Sequence, residues 1–499
     1  MRRRMPIFYS ALMLTGVNLL LRLVGTSFQV YLSGRIGPAG IGLLQLVLSV
    51  GSLAMVAGIG GIRTATMYLT AEELGKKRPQ NVAWVLSGCF LYSILFSGSI
   101  AFLLYHFAPW IAENWIGDTR ILGALRLFAA FLPVSCLCGV MTGYFTGANR
   151  IGTLAAVEIA EQLCSMVATL LSLTLWAGHD PVRSCLCVVL GSNFGASVTL
   201  VTLVYLRIRE RQHTGSRIPV GNHLMQAALP LALADDLKSG ITTAENLMVP
   251  KRMALFPGIS SPLASFGIIT GMVFPVLMFP AAILFGLSEL LIPELARCNA
   301  GGSRKRILYL VRRSLRVAAV YGIFFCGLLY LLSDSLCMAL YNNVEAGHYL
   351  RWFSLLIPML YCDAITDAMI KGMGQQKVCV RYNILTSAMD VALLYVLLPR
   401  YGVAGYFASF LITHVINFAL SLRRLLLITK LSIPPKVPVL CIFSTFASIW
   451  AASHLTIPVA RTVAFLIILS CLLFLLGILR KDDILWLQSL VRKKRPHQK

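Results

Sequence analysis

Apolar runs of about 20 residues recur from one end of this chain to the other. At 1.5 Å per helical residue, each is long enough to cross a hydrocarbon layer roughly 30 Å thick. A segment in lipid must satisfy its own backbone donors and acceptors, which leaves helices or a closed barrel. These runs do not alternate apolar with polar, so the barrel is excluded. About fourteen spans are expected, near 8–32, 40–66, 81–107, 121–145, 151–177, 182–206, 223–249, 264–296, 307–333, 350–371, 378–399, 403–426, 437–455 and 459–479. The span at 223–249 is the least hydrophobic. Only 13% of the 499 residues are charged, about half the share of a soluble chain. The expected fold is an all-α polytopic membrane protein.

A net charge of +24 raises the question of nucleic acid, but the basic residues cluster in short segments between the apolar runs. One set of loops holds R-R-R (2–4), K-K-R (76–78), R-I-R-E-R (207–211), R-K-R (304–306), R-R (423–424) and R-K-K-R (492–495). The alternate loops are poorer in Lys and Arg, which predicts both termini on the cytoplasmic side of a plasma membrane. The basic tail then acts as a topology anchor touching anionic lipid, and no nucleic-acid partner is expected. The 13 cysteines fall mostly inside the apolar runs, without zinc or C-x-x-C redox spacing, and read as small packing residues. No cleavable signal peptide is expected, because the first run is long and passes straight into a second.

Landmarks repeat along the chain. G-Y-F-T-G-A-N-R (143–150) follows the fourth span and M-I-K-G-M-G-Q-Q-K (369–377) the tenth, an offset of about 220–225 residues. The expected organisation is a six-helix lobe over 1–207, a basic linker at 208–222 and a second six-helix lobe over 223–430. Two additional helices over 431–480 and a basic tail at 481–499 complete the chain. Duplicated halves are common in transporters, which place substrate where the halves meet.

Within the runs lie polar stripes. Thr15, Asn18, Arg22, Thr26 and Gln29 share one helical face, and Gln45, Ser49, Ser52, Gly60 and Arg63 repeat the arrangement on the second span. The fifth span carries Glu158, Glu161, Gln162, Ser165 and Thr169; the seventh carries Asp235, Asp236, Lys238, Thr242, Glu245 and Asn246. A charge at a helix centre in lipid costs roughly 2.5–3.5 kcal/mol, so such residues turn towards a shared interior. Arg22 and Arg63, both on polar faces, predict an aqueous cavity that attracts an anion. Arginine suits phosphate through its planar fork of donors. Arg63 also lies near the expected end of its span, where snorkelling to the surface is the alternative. Substrate-binding candidates are Arg22, Arg63, Asn18, Gln29 and Gln45. Candidates for coupling to H+ or Na+ are Glu158, Glu161, Asp235, Asp236, Lys238, Glu245 and Asp363. Asp235 with Lys238, and Asp363 and Asp367 with Lys371, are alternatively pairs that neutralise each other one turn apart. Ser, Thr and single Gln residues are read mainly as helix glue. Neither a resident metal nor a cofactor is expected, and no hydrolase or nucleotide-binding motif occurs.

The segment L-T-G-V-N-L-L-L-R-L-V-G-T-S-F-Q-V-Y-L-S-G-R-I-G-P-A-G-I-G-L-L-Q-L (14–46) resembles the N-terminal signature of the group typified by stage V sporulation protein B. That group lies within the multidrug/oligosaccharidyl-lipid/polysaccharide exporter superfamily, which includes the lipid II flippases. E-N-L-M-V-P-K-R-M (245–253) is similar to the family's L-V-P-x-R-L at the end of the seventh helix, and T-G-A-N-R to the turn after the fourth. The resemblance implies a flippase, not an enzyme, for an undecaprenyl-diphosphate-linked saccharide such as lipid II. It implies alternating access between lobes and a role in sporulation, with membrane lipids and cell-wall synthesis enzymes as partners. Arg22 and Arg63 would match the family's cavity arginines, which hold the diphosphate. The sequence departs from the lipid II flippases in its eighth span, which has no arginine before Arg297. Pro275, Pro280, Gly58, Gly60 and Gly61 are expected bending points. Three other readings stay open. A cation-coupled multidrug antiporter would depend on a buried acid and not on Arg22. A membrane enzyme on a lipid carrier would need clustered acids at one face, where only Glu113 and Asp118 stand. A cell-wall scaffold would need no transport at all.

Overall fold

The computed structural model describes residues 7–477 except 60, 77, 179, 210–220, 432–435 and 456. Side chains at 7–15, 17–18, 75, 79, 221–235, 289–290, 293, 300, 436–439, 442 and 458 also lie outside the description. The linker expected at 208–222 falls largely outside it, and the tail at 481–499 wholly so. Helices and short loops make up the described residues, with no strand among them.

The first lobe's spans are α1 (Ile7–Ile59), α2 (Ile62–Gly75), α3 (Val82–Trp110), α4 (Leu122–Gly147), α5 (Ile151–Ser172) and α6 (Pro181–Arg209). There follow α7 (Gly221–Met253), α8 (Pro262–Ile268), α9 (Phe274–Met278), α10 (Ala281–Ala300), α11 (Arg304–Tyr341), α12 (Val344–Ser354), α13 (Ile357–Gly372), α14 (Gln376–Thr429), α15 (Lys436–Ser453) and α16 (Pro458–Leu475). Each expected span is helical. By length and composition, seven helices among the described residues qualify as membrane crossings, or nine with two bent pairs counted as one span each. Two of the seven are double: α1 has 53 residues and α14 has 54, each far longer than one bilayer crossing. They turn at Gly37 (φ 77) before Pro38 and at Gly402 (φ 56) after Pro399. A side chain resists that backbone, so glycine occupies both corners. The protein is a multi-pass membrane protein.

Of the expected bending points, Gly61 and Pro280 lie at breaks, Gly58 lies within α1, Pro275 sits in the first turn of α9, and Gly60 is outside the described residues. α2 begins at a left-handed Gly61, and the eighth span bends by 63° where Pro280 separates α9 from α10. The second span does not end near residue 66, however. It resumes beyond Gly61 and runs to Gly75, which leaves about 18 Å of helix between Arg63 and that end.

Contacts group the chain into two compact units, one from Met1–Ala282 with Asn383–Thr413 and the other from Ile283–Tyr382 with His414–Lys499. This grouping differs from the linear lobes drawn above, because α7, α8 and the middle of α14 belong with the first unit. In that unit, α2, α3, α4, α5 and α6 share a core of Ile62, Leu69, Val85, Met141, Phe145 and Leu203. In the second, Ile323 and Leu331 of α11 pack with Ile449 and Ala452 of α15 and Phe465 and Leu469 of α16. The repeated landmarks also fold alike. Asn149 (φ 56) follows α4 and Gly374 (φ 78) follows α13. Arg150 N donates to Phe145 O at 2.9 Å, and Gln375 N to Ile370 O at 3.1 Å.

Candidate functional site

Glycine spacing positions the charged groups of the first unit. Gly139, Gly143 and Gly147 recur every fourth residue of α4, a small-residue stripe that admits a close neighbour. A β-carbon on Gly143 would stand 2.4 Å from Arg63 O, and one on Gly147 2.5 Å from Met67 O. The backbone of α2 thus lies directly on α4, with Arg63 Cβ 3.9 Å from the position of a β-carbon on Gly139. A matching stripe on α6 holds α5. β-carbons on Gly191 and Gly195 would meet Thr169 Oγ1 at 2.0 Å and Ser165 Cβ at 2.9 Å. One turn further on, Thr199 Oγ1 donates to Glu161 Oε2 at 3.0 Å.

These contacts bring the expected arginines to one segment of α5. Arg63 lies close enough to Glu158 for their charges to interact, and Glu158 likewise feels Glu161. Gln162 Nε2 is 3.8 Å from the position of a β-carbon on Gly25 of α1. First and fifth spans run in the same direction, and Arg22 lies about 4.5 Å from Gly25 along α1, within 60° of its face. Arg63 thus lies near Glu158, and Arg22 stands on α1 one turn from the Gly25–Gln162 approach. Both arginines are exposed and Glu158 is half-buried. Among the described residues Arg63 has no hydrogen-bond or ion-pair partner.

The remaining candidates divide. Gln29 Nε2 donates to Gly271 O at 3.2 Å, which makes it a bridge from α1 to the π-helical turn Ile269–Val273. Gln45 is about 27 Å from Arg63 along the helix path and does not join it. Its neighbour Ser49 instead ties α1 to α7: Thr243 Oγ1 donates to Ser49 O at 3.1 Å and Asn246 Nδ2 to Ser49 Oγ at 2.9 Å. Asp236 lies near Tyr92 of α3, and Lys238 is exposed. The side chains of Asn18 and Asp235 lie outside the described residues. In the second unit Asp363 Oδ2 accepts from Asn417 Nδ2 at 2.8 Å and Asp367 Oδ1 from Ser421 Oγ at 3.2 Å. One rung beyond, Arg424 Nη2 donates to Gln375 Oε1 at 2.7 Å. This ladder joins α13 to the last part of α14, and Lys371 also acts on Asp363 through charge.

Sequence reasoning missed the partner of Glu245. On α14 the carboxyl of Asp390 lies close enough to Glu245 of α7 for the two to interact. Ser409 Oγ donates to Asp390 Oδ1 at 2.6 Å, and Thr413 Oγ1 lies 3.3 Å from the same oxygen. Two neighbouring carboxylates repel unless a proton or a cation stands between them. The available signal was an isolated Asp in the apolar run S-A-M-D-V-A-L-L, the same kind of signal that singled out Arg22. At the far end of α7, Lys251 Nζ donates to Asn114 O, and Arg252 lies over the Tyr395 ring, 3.5 Å from its centroid. Outside the spans, Asp118 accepts from Arg120 Nη2 at 2.7 Å, and that hydrogen bond holds its carboxyl below the usual range.

Residues 8–231 match the family described as polysaccharide biosynthesis protein. Two Bacillus subtilis (strain 168) proteins are similar. Stage V sporulation protein B is 22% identical over 79% of this chain and 78% of its own length. Sporulation protein YkvU is 21% identical over 73% and 82%. Among solved structures, the lipid II flippase MurJ in an inward closed conformation superposes with a TM-score of 0.69 at 14% identity, covering 96% of this chain and all of that one. An inward-facing multidrug resistance MATE family transporter superposes at 0.63 and 14% identity, covering 84% of this chain and all of that one. The motifs of the first two spans, the sporulation relatives and the shared fold agree: the chain is similar to stage V sporulation protein B over most of its length and has the fold of the lipid II flippase and MATE family transporter structures.

Proposed function

We propose that this protein flips an undecaprenyl-diphosphate-linked saccharide, a lipid II-type cell-wall precursor, across the bacterial plasma membrane by alternating access. Both termini are cytoplasmic in this reading, and the chain carries out no covalent chemistry. The observation that carries it is Arg63, an exposed guanidinium within an apolar span that has no hydrogen-bond or ion-pair partner among the described residues and lies within charge range of α5, the helix whose Gln162 stands beside Gly25 one turn from Arg22. A diphosphate offers the paired anionic oxygens that such a fork binds, each charge-assisted hydrogen bond contributing about 1.5–3 kcal/mol. The polyprenyl tail stays in lipid while the head passes the arginines. The sporulation names of the curated relatives support a cargo destined for the spore wall, delivered to cell-wall synthesis enzymes.

The test is reconstitution in liposomes with lipid II and, separately, an unrelated polyprenyl-diphosphate glycan, scoring head-group exposure outside. Wild type is expected to expose at least one of them, and Arg63→Ala to slow that at least about tenfold through the lost paired bonds. Equal rates in wild type, Arg63→Ala and Arg22→Ala would refute the reading.

A second reading, a cation-coupled multidrug antiporter, is favoured by the Glu245–Asp390 pair. It expects cationic drug efflux to survive Arg22→Ala and to vanish in Glu245→Gln. In the flippase reading the same pair carries the coupling proton or Na+.

A further inference from the structure

Glu158 and Arg63 stand in an unusual relation. Their charges interact, yet among the described residues no hydrogen bond or ion pair joins them or ties either side chain elsewhere. The neighbouring acid differs: Glu161 accepts from Thr199 Oγ1 at 3.0 Å, on an α5–α6 contact that Gly191 and Gly195 hold tight. Glu161 is therefore anchored, while Glu158 is a half-buried carboxylate within charge range of the exposed Arg63 guanidinium. Both helices are held by glycine-mediated backbone contact, α2 against α4 and α5 against α6.

We propose that Glu158 is the internal counter-anion of Arg63: it balances the guanidinium while the site is empty and opposes an incoming phosphate, so that it sets how readily a bound diphosphate leaves. The inference rests on the flippase reading. A site of bare arginines would hold a diphosphate tightly and release it slowly, whereas a transporter needs binding weak enough to be undone on the far side. One fixed carboxylate beside one arm of the site supplies that opposition without blocking entry. It also favours ligands that bring more than one negative charge, since a single charge gains little where a carboxylate already stands.

The experiment measures binding of inorganic pyrophosphate to purified protein in nanodiscs of neutral lipid, alongside head-group translocation in liposomes. Glu158→Gln keeps the size of the side chain and removes the charge. Loss of one repelling charge in a partly wet site tightens pyrophosphate about tenfold, and translocation slows because release does. In an Arg63→Ala background, where no guanidinium remains for Glu158 to balance, the same substitution tightens binding less than it does in the wild type. Glu158→Asp, which withdraws the carboxylate by one methylene, gives an intermediate tightening and carries the test if the Gln variant misfolds. Unchanged or weaker binding in Glu158→Gln, with wild type binding pyrophosphate, overturns the counter-anion role alone. Absence of binding by wild type and every variant overturns the flippase reading together with it.

Discussion

Glu245 of α7 and Asp390 of α14 lie close enough for their carboxyl groups to interact, with Ser409 Oγ 2.6 Å from Asp390 Oδ1 and the fully buried Tyr406 near both. A lone carboxylate at this depth would be costly, and two that share a proton or a cation are not. Occupancy of the pair therefore changes the local charge by one unit, as a coupling step requires. Wild-type translocation in liposomes is expected to respond to an imposed pH or Na+ gradient, and Glu245→Gln and Asp390→Asn to abolish the response. A gradient response retained in both variants would remove the pair from coupling.

Much of this was legible in the sequence and some was not, for identifiable reasons. Hydropathy finds helices because each span must hide its own backbone, so the spans followed directly. The second span's true end did not, because Gly60-Gly61 and Arg63 lower the hydropathy at a break that the helix outlives. Gln29 shares a face with Arg22 but is spent on Gly271 O, and helical periodicity cannot tell a ligand-facing amide from one that bridges helices. The Glu245–Asp390 pair joins residues far apart in the chain. Nothing local marks such pairing, although Asp390 alone deserved the suspicion given to Arg22. The glycine stripes of α4 and α6 are visible as spacing, but the helices they admit are not.

The closest backbone approach in the first unit predicts a sharp sensitivity. A β-carbon on Gly267 would stand 2.1 Å from Pro38 O and 2.5 Å from Gly42 N, and one on Gly42 2.2 Å from Leu263 O. Backbone atoms cannot swing aside, so Gly267→Ala must prise α8 from α1, at about 1–3 kcal/mol. A thermal unfolding midpoint several degrees lower is expected in detergent. Gly34→Ala, at a position with open space around it, is expected to leave the midpoint unchanged. Similar midpoints for the two variants would count against the interlock.

The α13–α14 ladder predicts a graded loss. Asn417→Ala removes the donor of the 2.8 Å bond to Asp363 and leaves a largely buried carboxylate short of a partner, at about 1–2 kcal/mol. Ser421→Ala removes the longer 3.2 Å bond to Asp367 and costs less, near the roughly 0.6 kcal/mol average for polar contacts between membrane helices. A double-mutant cycle of Asp363→Asn with Asn417→Ala, read by unfolding in mixed micelles, measures the coupling. Additive effects would show that the pair contributes no interaction of its own.

Arg252, the arginine of V-P-K-R, is explained by a proline on another helix. In a regular helix Tyr395 O accepts from the N–H four residues on, but that residue is Pro399, which has none. Arg252 fills the vacancy: Nη2 donates to Tyr395 O at 2.7 Å and Nε at 3.2 Å, with the guanidinium stacked on the Tyr395 ring. Charge alone does not do this, so Arg252→Lys is expected to lose most of what Arg252→Ala loses, about 1–2 kcal/mol. Tyr395→Leu keeps the carbonyl and removes only the stacking, for about 0.5–1 kcal/mol. Pro399→Ala restores an N–H to the helix and so should make Arg252 largely redundant. In that background, Arg252→Ala is expected to cost less than half its effect in the wild type, measured by equilibrium unfolding. An undiminished cost would mean that Arg252 stabilises α7 through some other contact and that the proline is incidental.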